Sequence, residues 1–230
     1  AMKTEGIDLI GFAGKDRFAG VDPQHNPFSI FPEGKTVIML GKRICRGALR
    51  GVEEGTNFGD YALFGKNWLE DEFLSIACYG LVNAIEDEGW EAVPIFPNPA
   101  ELPPSGVAVA ADRPAPNVYP DFDYAAVAAG LCEISYNGIP FSEKFGSRQR
   151  FHMIITDAEI ASTPLLEKSI CDKCGKCADV CVNLLVWLGC ECLVFVGIHM
   201  LDVHQIQVNI RKHRLNFFIR SIRRRFHRRV

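Results

Sequence analysis

Short apolar runs and one long stretch of helical spacing alternate along the first 160 residues. Residues 36–40 form an almost wholly apolar run between Gly34 and Gly41, a pattern that predicts a strand buried on both faces. Residues 7–12, 91–96 and 151–157 are further short runs that predict strands. Proline cannot donate a hydrogen bond to a neighbouring strand, so Pro94 either places its strand at a sheet edge or ends it.

Helical spacing is found in two segments. From residue 67 to residue 88, apolar residues recur every three or four positions, and Gly89 stands where a C-terminal cap is expected. An alanine-rich run over residues 122–131 predicts a second helix with a glycine cap. The polar, Gly-rich residues 46–60 and the proline-rich residues 97–120 are expected to be loops. Strands that alternate with helices predict an α/β (α+β) sandwich.

Composition and charge exclude several classes of protein. Apolar residues make up 48% and charged residues 23% of the 230-residue chain, as in globular rather than disordered proteins. Residues 1–181 carry a net charge of −10, which argues against a nucleic-acid surface spread over them. The chain begins Ala1-Met2-Lys3-Thr4-Glu5, without an apolar or twin-arginine signal, and contains nine cysteines. These features predict a reducing compartment, the cytoplasm, and no stable membrane contact.

The character of the chain changes after Cys181. Residues 184–201 are almost wholly apolar, and residues 182–230 carry nine Lys or Arg against only Glu191 and Asp202. Three interpretations are open for this segment: a marginal membrane span, a buried core or interface segment, and a tail foreign to the original fold, for example through a reading-frame change. Glu191, near the middle of the apolar run, counts against a membrane span.

The strongest chemical signal is a run of four cysteines, Cys171, Cys174, Cys177 and Cys181, at the spacing C-x2-C-x2-C-x3-C. Bacterial ferredoxins use this spacing to wrap a loop around an iron–sulfur cluster, so the run predicts a [4Fe-4S] site. Zinc knuckles usually pair two C-x2-C units across a longer loop, and the sequence has no second such pair. Zinc and free or disulfide-bonded thiols are the alternatives.

The fourth ligand of the cluster is open. In two-cluster ferredoxins the last cysteine of the run binds the other cluster, so a sulfur farther along the chain would then complete the site. Cys190 and Cys192 are the nearest candidates, and a buried structural thiol is an equally good interpretation of both. The sequence has no second cysteine run, which favours a single cluster. Val182 stands where the ferredoxin run usually continues with a proline.

Four segments upstream of the cysteines resemble one known family. They are Gly89-Trp90-Glu91-Ala92-Val93-Pro94-Ile95, Ala129-Gly130-Leu131-Cys132-Glu133-Ile134-Ser135-Tyr136-Asn137-Gly138, Phe145-Gly146-Ser147-Arg148 and Ile154-Ile155-Thr156-Asp157. In this order, and followed by the cysteine run, they resemble the epoxyqueuosine reductase and corrinoid reductive dehalogenase group. The likeness extends from about Ile7 to Cys181.

The resemblance implies both a fold and a chemistry. The fold would be a nitroreductase-like sandwich core over residues 1–160, a small ferredoxin-like module over residues 161–192 and a basic tail of uncertain fold over residues 193–230. The cluster would pass single electrons to a bound cobalamin, and low-valent cobalt would reduce an organic substrate. A ferredoxin or flavodoxin would be the electron donor, and a small organic molecule or a tRNA nucleoside would be the substrate.

The resemblance also implies site residues for the cobalamin. They are Gly130, Leu131, Tyr136, Asn137 and Gly138. A turn rich in small residues lets the backbone approach a broad flat ring. From the residues alone, a helix C-cap followed by a hairpin explains the same turn equally well.

Departures from the family pattern limit these assignments. Cys132 and Ser135 replace two glycines of the pattern A-G-L-G-x-I-G-x-N-G. Their side chains leave a corrin less room to approach the backbone at these two positions. The segment in which epoxyqueuosine reductases carry their acid has only a partial counterpart here, Asp60-Tyr61. These two residues are the candidate proton donors.

Two main classes of function follow. The first is an enzyme, a cobalamin-dependent iron–sulfur reductase, and the second is a non-catalytic ferredoxin-like electron-transfer or corrinoid-binding protein. A structural zinc or metal-storage domain is a third. His152 is expected to be a packed, hydrogen-bonded histidine, and Cys45 and Cys78 are expected to be inert thiols.

Overall fold

A four-stranded antiparallel sheet forms the centre of the fold. The computed structural model describes residues 6–98, 106–116 and 118–177. The strands of this sheet are β1 (Leu9–Gly14), β2 (Thr36–Arg43), β3 (Ala92–Ile95) and β6 (Gln149–Thr156), in the order β1-β2-β6-β3. The remaining two strands, β4 (Glu133–Ile134) and β5 (Pro140–Phe141), form a separate hairpin.

β2 and β6 are the central strands, and their apolar sequences explain this position. Residues 36–41 of β2 are buried without interruption, as the continuous apolar run predicted. The two strands pair from Thr36 opposite Thr156 to Arg43 opposite Gln149. Pro94 lies in β3, which pairs within this sheet with β6 alone. The predicted edge position of this strand is confirmed. At an edge, one side of the strand has no neighbouring strand, so the N–H that proline lacks is not needed for pairing on that side.

Helices cover both faces of the sheet. On one face, α4 (Phe122–Ala128) places buried alanines in one apolar cluster with the odd-numbered residues of β2, such as Val37. On the other face, α3 (Ser75–Asp87) shares a cluster with even-numbered residues, such as Ile38. Side chains alternate between the faces because a strand has a period of two residues. The fold is therefore a mixed sandwich with an antiparallel sheet, which confirms the α+β class.

The long helical segment begins earlier than the sequence predicted. Leu63–Leu74 is a π-helix that runs directly into α3, and Gly89 follows the helix with φ of +88°. The helix and its glycine cap are confirmed, whereas the predicted start at residue 67 was wrong. π-Helical turns are rare and frequently lie at functional sites. Here the π-helix carries several of the side chains described below.

Residues 46–60 are not the loop that the sequence predicted. They contain a 3₁₀ helix (Arg46–Leu49) and α1 (Arg50–Glu53), and α2 (Gly59–Ala62) begins within them. Single helical turns are too short to produce a visible hydrophobic period. An exposed ion pair between Arg46 and Glu53, with 2.8 Å between nitrogen and oxygen, links two of these turns.

The remaining described segments are short turns and loops. Two 3₁₀ helices, Lys15–Phe18 and Pro27–Ser29, connect β1 to β2. The described parts of the proline-rich region, residues 97–98, 106–116 and 118–120, contain no helix or strand, as predicted. Asp121 caps α4 because its carboxylate accepts a hydrogen bond of 2.9 Å from the backbone N–H of Tyr124.

Several predictions fall outside the described residues. They concern Cys181, Cys190, Cys192, the apolar run 184–201 and the basic end of the chain. Across residues 6–98, 106–116 and 118–177, no helix has the length and apolar character that a membrane crossing requires. The domain boundaries after residues 160 and 192 stay predictions.

Candidate functional site

The cysteine loop follows β6 and carries three free thiols. Cys171, Cys174 and Cys177 are not joined in disulfides, and Cys174 is exposed whereas the other two are half-buried. Among the described residues, no three His, Cys, Asp or Glu side chains are gathered closely enough to hold a metal ion together. Cys181, the fourth predicted ligand, lies outside the described residues.

The backbone of the loop turns sharply between the first and third cysteines. Lys173 has φ of +55° and Gly175 has φ of +79°, both in the left-handed region. Asp172 accepts a hydrogen bond of 3.1 Å from the backbone N–H of Cys174. The Cys174 thiol and then this N–H lower the pKa of the exposed Asp172 carboxyl. A non-glycine residue with positive φ is uncommon and is typical of tight functional loops.

The β4–β5 hairpin holds the first cysteine of the loop. The backbone N–H of Tyr136 donates a hydrogen bond to Cys171 Sγ, with 3.5 Å between the atoms. Glu133 Oε1 accepts a hydrogen bond from the backbone N–H of Cys171. The same oxygen lies 3.2 Å from Ser169 Oγ, which also donates to the Cys171 carbonyl at 3.1 Å. Both the sulfur and the backbone of Cys171 are therefore held by one structural element.

The donor chemistry of this loop fits an iron–sulfur cluster. Thiolate sulfur is the usual protein ligand of such clusters, and N–H groups that point at the sulfurs tune them. The Tyr136 N–H already points at Cys171 Sγ in this way. Within the described residues, all three thiols are free. Gathering the sulfurs around a metal requires movement of the loop, as is common when metal binding and folding are coupled.

The residues predicted to contact cobalamin have packing roles in the turn and hairpin. Gly130 has φ of +70°, and a Cβ placed on it would lie 2.2 Å from the Pro164 carbonyl oxygen. Leu131 packs against Gly11, where a Cβ would lie 2.8 Å from Leu131 Cγ. In the direction of a Cβ, the space beside Gly130 is thus filled by the chain itself. The interpretation as a helix C-cap followed by a hairpin explains both residues.

The other three residues of that prediction lie in the hairpin turn. Gly138 has φ of +78°, and its N–H donates to the Ser135 carbonyl at 2.9 Å. The Ser135 hydroxyl lies 2.6 Å from Asn137 Oδ1 and 2.7 Å from the Ile139 carbonyl. Tyr136 is 51% exposed. The motif therefore builds the support for Cys171, and its contact with a corrin stays a prediction.

Asp60 and Tyr61, the candidate proton donors, have different surroundings. Asp60 is exposed and accepts a hydrogen bond of 2.9 Å from Asn57 Nδ2. The half-buried Tyr61 hydroxyl lies 3.4 Å from Arg150, and Arg150 Nε is 3.3 Å from Glu70 Oε1. Burial raises the pKa of Glu70, and the charge of Arg150 opposes this effect. No sequence pattern pointed to this grouping, because Glu70 lies on a helix and Arg150 lies on a strand far away in the chain.

The chain is similar to known proteins in both sequence and structure. No protein-family model matches the chain. Over 59 residues, 24% of this chain, it is 41% identical to the tetrachloroethene reductive dehalogenases of Desulfitobacterium hafniense and Dehalobacter restrictus, of which the match covers 11%. The structure matches epoxyqueuosine reductase from Streptococcus thermophilus with a TM-score of 0.52 and 17% identity, over 78% of this chain and 50% of that one. Over the matched residues, this chain shares its fold with epoxyqueuosine reductase.

A second epoxyqueuosine reductase, solved with a tRNA-Tyr epoxyqueuosine-modified stem loop, gives the same result. Its TM-score is 0.52 at 16% identity, over 80% of this chain and 50% of that one. The resemblance that the sequence motifs indicated is therefore confirmed. The chain spans about half the length of these epoxyqueuosine reductases and about a tenth of the dehalogenases.

One departure from the epoxyqueuosine reductase pattern is explained by packing. Cys132, which replaces a glycine of the family pattern, is 1% exposed and lies in the apolar cluster under α4. Burial raises the pKa of its thiol to about 12, and burial also raises that of Cys78 to about 12. Such thiols are poor nucleophiles and poor metal ligands, so both are structural. Cys78 is buried and Cys45 is exposed, and the inertness of both thiols stays a prediction.

The structure also shows a cavity of about 500 Å³ that the sequence did not reveal. Its wall combines apolar side chains of the π-helix with charged side chains of β2 and the start of the described chain. The lining residues are Gly6, Ile7, Asp8, Lys42, Arg43, Cys45, Phe64, Leu69 and Phe73. None of the predicted cobalamin or cluster residues that the structure describes lines it.

His152 is packed in the core, as predicted. It is 2% exposed, and Phe96 meets its ring edge-on at 5.6 Å between ring centres. Burial lowers its pKa to about 4, while a hydrogen bond with the Glu70 backbone acts in the opposite direction. Its Nε2 is buried without a hydrogen-bond partner among the described residues. The predicted packing of His152 is confirmed. Its predicted hydrogen bonding is confirmed in part, by the bond with the Glu70 backbone.

Proposed function

We propose that this protein is an iron–sulfur oxidoreductase whose cluster is held by Cys171, Cys174, Cys177 and Cys181. The observation that carries the proposal is the contact of the motif hairpin with the first of these thiols, through the Tyr136 N–H. The family motif and the cysteine run are thus parts of one site rather than two separate features of the sequence. The epoxyqueuosine reductase fold supports a reductase role.

The chain's own residues have defined tasks in this proposal. A [4Fe-4S] cluster supplies one-electron transfer when bound. Cys171 provides the ligand held by the hairpin, and Cys174 and Cys177 move toward it. Cys190 or Cys192 would supply the fourth sulfur if Cys181 does not.

Substrate and donor follow from what this chain is similar to. Its relatives include a reductase solved with an epoxyqueuosine-modified stem loop and dehalogenases named for tetrachloroethene. We infer that the substrate is a small organic electrophile or a tRNA nucleoside, that a ferredoxin or flavodoxin is the donor and that the protein acts in the cytoplasm. Cobalamin is the second cofactor that the resemblance implies.

A second candidate function is electron transfer without local substrate chemistry. The packing of the Pro164 carbonyl beside Gly130 favours electron transfer, because this carbonyl occupies space next to the glycine that a cobalamin would otherwise use. In that case the protein would hold the cluster and relay electrons, and it would not take up cobalamin.

A metal and cofactor inventory of anaerobically purified protein tests the proposal. We expect about four iron and four sulfide per chain, and replacement of Cys171, Cys174 and Cys177 by serine is expected to remove them. Cys45→Ser is the matched control, because Cys45 is an exposed thiol outside the loop. Zinc in place of iron, or iron retained by the triple variant, would contradict the proposal. Uptake of added cobalamin favours the reductase, and its absence favours electron transfer.

Tyr61 is the better placed of the two candidate proton donors. The Arg150 guanidinium beside its hydroxyl would stabilise the negative charge left on the oxygen after proton transfer. Tyr61→Phe is expected to slow reduction of an epoxyqueuosine stem loop or of tetrachloroethene about 10²- to 10⁴-fold, with iron and cobalamin contents unchanged. Asp60→Asn is the comparison, and we expect it to retain turnover. Full turnover in Tyr61→Phe would reject the assignment.

A further inference from the structure

Glu133 occupies a distinctive position in the β4–β5 hairpin. It stands at the variable position of the family pattern, between Cys132 and Ile134, so the resemblance assigns it no role. Its half-buried carboxylate reaches across to the cysteine loop and accepts a hydrogen bond from the Cys171 backbone N–H. The same oxygen, Oε1, lies 3.2 Å from Ser169 Oγ. Through this one carboxylate oxygen, the hairpin is hydrogen-bonded to both Ser169 and Cys171 at the start of the cysteine loop.

Cys171 is therefore held at two points by the same hairpin. Glu133 accepts from its N–H, and the Tyr136 N–H donates to its sulfur at 3.5 Å. Cys174 makes no such contact with the hairpin; its N–H bonds to Asp172 within the loop. Of the three described thiols of the run, Cys171 is thus the one held by the hairpin, and the others would close on it.

Glu133 also places a negative charge beside the backbone of a cluster ligand. Adding an electron to a cluster makes it more negative, so a fixed carboxylate nearby disfavours the reduced form. A hydrogen bond to a ligand residue fixes the position of that ligand. The two effects can be separated, because glutamine keeps the carbonyl oxygen that accepts the hydrogen bond and removes the charge.

We propose that Glu133 is a positioning residue for the cluster: it anchors Cys171 before metal binding and lowers the reduction potential of the bound cluster. This inference rests on the proposed function. It deepens that function by assigning control of loop geometry and of cluster potential to one side chain outside the family motif.

The experiment compares Glu133→Ala, Glu133→Gln and the matched control Glu143→Gln in the full chain. Glu143 is an exposed carboxylate in the turn after β5, so its replacement changes the net charge equally near the same hairpin. Release of iron to a chelator is expected to be about 10- to 100-fold faster in Glu133→Ala, the usual effect of losing a residue that orients a metal ligand. Glu133→Gln and Glu143→Gln should release iron at the wild-type rate.

The reduction potential is measured by anaerobic titration with dithionite, followed by the spectrum of the one-electron-reduced cluster. Glu133→Gln is expected to shift the midpoint to a more positive value, and Glu143→Gln is expected to leave it unchanged. Equal potentials in the two glutamine variants would overturn the electrostatic part of the proposal. Wild-type iron retention in Glu133→Ala would overturn the positioning part.

A metal-free readout separates this inference from the proposed function. In the iron-free protein, alkylation of Cys171 by iodoacetamide is expected to be faster in Glu133→Ala than in wild type. Cys174 is already exposed and serves as the internal reference. Unchanged alkylation of Cys171 would overturn the anchoring role even if the cluster forms. The last outcome is that wild type binds no iron, but Cys171 is still alkylated faster in Glu133→Ala than in wild type. That result would overturn the proposed function and retain the anchoring role.

Discussion

Gly130→Ala is expected to destabilise the fold by about 2–6 kcal/mol, because strained backbone and overpacking each cost about 1–3 kcal/mol. Gly130 has φ of +70°, which side chains other than glycine rarely adopt. The new Cβ would also lie 2.2 Å from the Pro164 carbonyl oxygen, and a backbone oxygen cannot swing away as a side chain can. Urea denaturation followed by circular dichroism measures the change in the free energy of unfolding.

Gly55→Ala is the matched control for this substitution. Gly55 has almost the same φ, +67°, and a Cβ placed on it would meet nothing within 4 Å. Its replacement is expected to cost about 1 kcal/mol, from backbone strain alone. Equal losses in the two variants would show that the Pro164 contact does not constrain the turn. If Gly130→Ala folds like wild type but loses cobalamin uptake, the glycine serves the ligand rather than the fold.

Acidification from pH 7 to pH 4 is expected to remove about 3 kcal/mol of stability through His152, at about 1.4 kcal/mol for each unit of pKa difference. The pKa of this histidine falls from an ordinary value of 6.5 to about 4 on folding, chiefly because of burial. Between these values the unfolded chain binds the proton and the folded chain does not, so stability rises with pH. Its contribution is complete above pH 6.5 and is lost progressively as the pH falls toward 4.

His152→Leu is the variant that tests this prediction. Leucine does not titrate, so the stability lost between pH 7 and pH 4 should be about 3 kcal/mol smaller than in wild type. Glu70 titrates in the opposite sense, because its raised pKa favours protonation in the folded state. The readout is therefore the difference between the two proteins rather than the wild-type slope. Parallel stability curves for wild type and His152→Leu from pH 7 to pH 4 would contradict the prediction.

Local sequence patterns determined the types of most elements. The apolar run of β2, the proline in β3 and the helical spacing before Gly89 predicted two strands and a helix that the structure contains. These patterns succeed because burial imposes a period of two on strands and about 3.6 on helices. The short turns at residues 46–60 were missed, since one helical turn is too short to display a period.

The cysteine run and the turn motif could also be identified from the sequence. Together they indicated the resemblance to epoxyqueuosine reductases. Spacing identifies the residue types that can surround a cluster, because a short loop limits which sulfurs can converge. The sequence by itself thus determined the α+β class, the family likeness and the candidate ligands.

Only the tertiary structure decided which distant residues meet. The strand order β1-β2-β6-β3, the Pro164 carbonyl beside Gly130 and the contacts of Arg150 with Tyr61 and Glu70 join residues about 20 to 120 positions apart. So do the contacts of Glu133 and Tyr136 with Cys171. Such contacts depend on how complete layers pack and on which polar groups find partners when buried, and no local pattern of residue types encodes that outcome.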